Sequence, residues 1–232
     1  MKKIKALALA LCLGIVMVGC NNTQKGATIG TAGGAVLGAI IGKIAGNAGV
    51  GAAIGGAVGA GTGAIIGNRM DKVKKQAEAV QNAQVQQVTD ANGLQAVKVT
   101  FDSGILFPTS SSTLQASAQN SLVQFANVLK QNTDADVAIQ GYTDNDPWKG
   151  STAEQSVQKN LNLSQQRAQS VSTFLIGQGV SGAQIKSVQG FGEQNPVADN
   201  STAAGKAQNR RVEVYLYASQ AMIDAANNGT LK

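Results

Sequence analysis

The chain contains no histidine, and only 4% of its residues are aromatic, with a single tryptophan. Without imidazole there is no histidine-based triad, no histidine metal site and no side chain that switches charge near neutrality at its ordinary pKa. Thiols are as scarce, with Cys12 and Cys20 alone. No cluster of metal-ligand residues and no pair of carboxylates on a recognisable scaffold stands out. Together these absences argue against an enzyme, a cofactor and a metal. The longest apolar run near the N-terminus, Ala6 to Val18, is too short to cross a bilayer comfortably. The formal charge of +6 includes Lys2, Lys3 and Lys5, so without the leader it falls to about +3, too mild for a nucleic-acid partner.

What is present at the front is an address. The basic start and apolar run have the layout of a secretory signal over residues 1–19. It ends Met17-Val18-Gly19-Cys20, which resembles a bacterial lipobox. Cys12 lies in the removed segment, so Cys20 is the sole thiol of a chain bound for an oxidising compartment, and acylation supplies its purpose. Each buried methylene of the acyl chains adds roughly 0.8 kcal/mol to anchoring. Asn21, rather than aspartate, follows the cysteine, which in lipoproteins of this kind implies the outer membrane. Residues 20–25 are then the lipidated N-terminus.

From residue 26 to 68 the composition turns to glycine, alanine, isoleucine and valine, with glycine at 30, 34, 38, 42 and 46 and again at 51, 55, 59, 63 and 67. A period of four places each set on one helix face. In water each helical glycine costs about 1 kcal/mol relative to alanine, whereas in lipid small residues at this spacing let helices pack closely. Gly38-Ala39-Ile40-Ile41-Gly42 recurs as Gly63-Ala64-Ile65-Ile66-Gly67, with Asn47-Ala48-Gly49 as the turn between two similar helices. The reading is a glycine-zipper membrane hairpin, similar to that of the 17 kDa surface antigens of Gram-negative bacteria. A flexible Gly/Ala linker is the alternative. Residues 69–92 lack a bulky apolar stripe and read as a polar, solvated spacer.

Residues 93–218 have the pattern of an α/β domain, an α+β sandwich in which helices pack on a mixed sheet. Val97, Val99 and Phe101 alternate as a strand, and Leu114, Ala118, Leu122, Phe125 and Leu129 fall at helical spacing. Strands are predicted over 136–142, 185–189 and 211–217, a helix over 161–178, and a weak helix in the tail, 219–232. The stretch 145–159, holding Trp148, is a long loop in this reading. It adds contacts or covers the groove it borders.

Gly141-Tyr142-Thr143-Asp144, then Asn160, Leu163-Ser164, Arg167-Ala168, Gly190-Phe191-Gly192, Asn195-Pro196 and Asn209-Arg210-Arg211-Val212-Glu213-Val214 resemble the OmpA-like C-terminal domain. The resemblance spans roughly residues 97–217 and implies a βαβαβ-type fold. It also implies non-covalent binding of peptidoglycan through the diaminopimelate of the stem peptide, with Asp144 meeting the ligand's ammonium and Arg167 its carboxylate. Asn160 and Arg211 are weaker candidates for the same rim, and Arg210 reads as a surface or core-edge residue. A lipid-anchored tether between outer membrane and cell wall, with its domain in the periplasm, is the leading function. The alternative is a membrane-embedded glycine-zipper protein that forms a homo-oligomer or supports another envelope assembly.

Overall fold

The computed structural model describes residues 61–90 and 93–231. The signal, Cys20 and nearly all of the expected hairpin therefore lie outside the described residues. Among those described, no helix is long and apolar enough to cross a membrane.

The elements run α1 (Thr62–Glu78), β1 (Ala83–Thr89), β2 (Gln95–Asp102), α2 (Ser103–Leu106), α3 (Ala116–Gln131), β3 (Ala135–Gly141), α4 (Ala153–Gly177), β4 (Ile185–Gly190), α5 (Ala203–Asn209), β5 (Arg211–Ala218) and α6 (Gln220–Asn227). The strands form one sheet in the order β1-β2-β5-β3-β4. The sheet is mixed, since β3 and β4 pair parallel across the α4 connection and the other neighbours pair antiparallel. Alternation along the strands sorts the two faces. Val97, Val99, Phe101, Val137, Ile139, Val212, Val214 and Leu216 join residues of α1, α3, α4 and α6 in the main core. Ala96, Ala138, Tyr215 and Tyr217 cluster on the other face. This is the helix-on-mixed-sheet α+β architecture expected from the sequence.

Three boundaries differ from expectation. Of the polar spacer expected over 69–92, residues 69–89 are instead part of the folded unit. Ile66, Met70, Val73 and Ala77 recur at helical spacing and are fully buried, so α1 lays an apolar stripe on the core while its lysines face out. Arg69 ion-pairs with Asp134 at 3.0 Å and fixes α1 against the turn before β3. The Gln-rich β1 pairs with β2 across its whole length and forms the sheet's first strand. The last residues assigned to the membrane hairpin, including Ile66 and Gly67, belong to this same docked helix.

The helix predicted over 161–178 begins earlier, at Ala153. Thr152 and Gln155 form a reciprocal capping box, each side chain bonding the other's backbone N–H. The last seven residues of the expected long loop, 153–159, are therefore helical. The tail, by contrast, forms a helix as expected, capped by the Ser219 hydroxyl and burying Met222, Ile223 and Ala226.

Candidate functional site

Two glycines determine how near the elements of the site approach one another. A Cβ on Gly141 would stand 2.1 Å from the carbonyl of Ser164, and one on Gly190 would stand 2.2 Å from the amide of Gln165. Only hydrogen at these positions lets α4 lie directly on the ends of β3 and β4. Ser164 completes the junction, its hydroxyl donating to the Leu161 carbonyl and accepting from Gly192 N–H. Beyond β3 the chain stays tied down, with Tyr142 N–H donating to the Arg211 carbonyl and Thr143 N–H to the Gly192 carbonyl. Asp144 is thus held just past the end of a central strand, and Arg167 projects from α4 one turn beyond Ser164.

Asp144 and Arg167 line one open cleft of about 670 Å³, together with Arg210, Asn160 and Trp148. Both members of the expected pair are buried, Asp144 at 6% exposure and Arg167 at 4%. Arg167 is threaded under the loop that follows α2. Its Nε donates to the Ser111 carbonyl at 2.9 Å, Nη2 reaches the Pro108 carbonyl at 3.4 Å, and the guanidinium lies 5.3 Å from the Phe107 ring centre. Nη1 has no hydrogen-bond acceptor among the described residues. Burial pulls the guanidinium down to about 10, with Asp144 acting to raise it and Arg210 to lower it. It remains charged at neutral pH. A buried cation with a free donor beside an open cleft is a binding group for a carboxylate.

Asp144 is not unattended. One oxygen accepts from Asp146 N–H at 3.2 Å and the other from the Arg210 guanidinium. Arg210, half exposed, is therefore a site residue that the sequence reading left at the surface. Arg210 caps the end of α5 and Arg211 opens β5, so the two adjoining arginines belong to different elements.

Arg211 is the corresponding correction. It does not line the cleft. It is 4% exposed, lies 3.8 Å from the Tyr142 ring centre, ion-pairs with Glu213 at 2.8 Å and donates to the carbonyls of Asn209 and Asn195. Tyr142, stacked on Phe191, has its hydroxyl pushed upward by burial and then by the Glu213 carboxylate. Here the cation is consumed by structure.

Asn160 does line the cleft, with its amide engaged. Its oxygen accepts from Trp148 Nε1 at 2.7 Å and its nitrogen donates to the Asp146 carbonyl at 3.3 Å. The 145–151 segment is thereby folded against the cleft wall. Lys206 grips Asp146 at 2.6 Å from outside. Asp199 and Thr202 serve as turn and capping residues, accepting from Ser201 N–H and Gly205 N–H. Among the described residues no group of acids, cysteines or histidines is arranged to hold a metal.

Comparisons with known proteins follow the same division. Residues 106–210 match the model of the OmpA family, and residues 1–71 match the YMGG-like Gly-zipper. The chain is 48% identical over 118 residues to the probable lipoprotein YiaD of Escherichia coli (strain K12), covering 51% of this chain and 47% of that protein. It is 44% identical over 93 residues to the peptidoglycan-binding protein ArfA of Mycobacterium tuberculosis (strain ATCC 25618 / H37Rv), covering 40% of this chain and 26% of the relative. The chain thus spans less than half the length of these curated relatives. The solved structure of the cell wall anchor of the T6SS from Pseudomonas aeruginosa superposes with a TM-score of 0.51 at 28% identity, covering 65% of this chain and 98% of that one.

Proposed function

Residues 106–210 belong to the OmpA family, and from that premise we propose that the domain binds peptidoglycan non-covalently through the zwitterionic end of the stem peptide's diaminopimelate. The observation that carries the reading is Arg167, a buried guanidinium with Nη1 unengaged, facing the same cleft as a carboxylate. The ligand carboxylate docks on Arg167, and the ligand ammonium docks on Asp144. A carboxylate has about four acceptor positions, so Asp144 can take an ammonium beside its existing bonds. Arg210 is the resident cation that the ammonium must meet there. The name of ArfA, a peptidoglycan-binding protein, supports the ligand class.

Binding, not turnover, is the chemistry this residue set offers. Two ionic contacts, each made at the cost of stripping water from the charges, give modest single-site affinity, and retention on the wall comes from many copies on one polymer. The anchoring half of the proposal rests on the lipobox-like Cys20 and on the Gly-zipper match. Acylated Cys20 holds the protein in the outer membrane, the zipper segment inserts beside it, and the domain reaches the wall from the periplasmic side.

Cosedimentation of the detergent-solubilised full chain with diaminopimelate-type peptidoglycan tests the site. Retention is expected, weakening as salt rises and screening sets in, and it should be lost in Asp144→Ala and Arg167→Ala. Folded variants that still sediment would remove the assignment. For the anchor, Cys20→Ser is expected to leave the membrane fraction, and a variant that stays there refutes acylation as the main attachment.

A further inference from the structure

The cleft is larger than a single amino-acid end requires. Beside the charged Asp144, Arg167 and Arg210, its lining includes Trp148 with Pro147 and Asn160, and the charged Asp146 and Lys149 flank that pair in sequence. Trp148 is a fixed group, not a loose surface ring. Its Nε1 donates to Asn160 Oδ1 at 2.7 Å, and its backbone N–H donates to Ser156 Oγ at 3.0 Å. On one side of the indole Lys159 Nζ sits 5.7 Å from the ring centre, itself held by the Ser151 hydroxyl at 2.8 Å. Trp148 lines the cleft and Lys159 does not.

An indole with one face braced and its polar edge already satisfied presents only apolar surface to what enters. The ligand suited to it has a flat C–H face and a polar rim that the Thr109 and Ser110 hydroxyls lining the same cleft can meet. A pyranose ring has this form. We propose that Trp148 forms a saccharide subsite, at which a sugar of the wall glycan stacks while the attached peptide occupies the charged site. The inference rests on the wall-binding reading above and extends it from a single amino acid to a glycan-linked fragment. It gives the 145–151 segment the role of a wall of the site.

Trp148 is the only tryptophan in the chain, so its fluorescence reports this one place. The full chain is titrated with a disaccharide-peptide fragment of diaminopimelate-type wall and, separately, with the same peptide lacking sugars. The wild type is expected to bind the sugar-bearing fragment about fivefold more tightly, as an added stacking contact gives, and only that fragment should shift the emission. Trp148→Ala should bind both ligands equally, at the wild-type affinity for the sugar-free peptide. Trp148→Phe keeps a ring without the N–H and should retain part of the preference.

Equal wild-type binding of the two ligands with unchanged emission would overturn the subsite while leaving the charged site standing. If Trp148→Ala weakens both ligands alike and Trp148→Phe does the same, Trp148 only positions Asn160, and the stacking contact is refuted. A wild type that binds neither fragment removes the wall-binding reading itself, and the subsite falls with it.

Discussion

Arg167 and Arg211 are equally buried, yet they inhabit opposite kinds of surroundings. Around Arg211 each guanidinium nitrogen donates, to Glu213 and to two backbone carbonyls, and the Tyr142 ring lies against the group. Around Arg167 the backbone takes Nε and, weakly, Nη2, while Nη1 has no acceptor among the described residues and the side chain lines a cavity. Both arginines lie in motifs of the family, and both carry the same charge. What separates a binding group from a structural one is hydrogen-bonding capacity left over after the fold has been satisfied.

The sharpest break of that comparison is Arg211→Met. It leaves Glu213 buried, with the Tyr215 hydroxyl at 2.5 Å and the Lys98 ammonium no nearer than 3.9 Å. Removing one partner of a buried ion pair costs about 3–5 kcal/mol, so chemical denaturation should show a loss near the lower end of that range, since Lys98 partly compensates. Wall binding per folded molecule should stay within about twofold. A stable variant that no longer binds would put Arg211 back in the site.

Gly190→Ala comes next and acts on both regions. Its Cβ meets backbone of α4, which cannot yield as a side-chain tip would. Overpacking of this kind costs about 1–3 kcal/mol, and here the upper part of that range is expected from thermal or urea unfolding. Because α4 carries Arg167, retention on the wall should fall as well. Full retention at lowered stability would show that the cleft tolerates movement of the helix.

These two predictions also mark what the sequence made legible. The strand pattern of Val97 to Phe101 and of Val212 to Leu216, the helix through Leu122 and Phe125, and the glycines at 141 and 190 all act through period or steric necessity, and these are visible along a chain. The stripe of Ile66, Met70, Val73 and Ala77 obeyed the same period. It was obscured because lysine and glutamine fill the positions between and because its partner surface lies far along the chain. Likewise the helix start at Ala153 depended on a capping box, Thr152 with Gln155, that is readable but was passed over. The exchange of roles between Arg210 and Arg211 turned on the boundary between α5, which Arg210 caps, and β5, which Arg211 opens. Asp144, Arg167 and Asn160 did reach one cleft, whereas Trp148's bond to Asn160 is a tertiary contact with no sequence period.

Arg167→Lys changes the cleft without removing its charge. An ammonium cannot reproduce the planar fork, so affinity for a wall peptide should fall about tenfold, or about 1.4 kcal/mol, in a titration against the wild type. In the wild type binding should be flat between pH 6 and 8, because a guanidinium lowered to about 10 is still protonated there and the chain has no histidine. A break in the wild type's binding within that interval would mean that a group other than Arg167 controls the site.

The smallest effect belongs to the outer rim. Lys206 meets Asp146 at 2.6 Å, but both side chains are partly exposed, at 28% and 54%. Pairs of this kind contribute about 0–1 kcal/mol, so Lys206→Ala should change unfolding free energy by less than about 1 kcal/mol. The same distance criterion that describes a strong contact at Arg211 describes a weak one here, because water competes for the second pair and not for the first. If Lys206→Ala weakens wall binding as much as Arg167→Lys does, then Asp146 holds the 145–151 segment in place through Lys206. The boundary between rim and site would then lie further out than burial alone indicates.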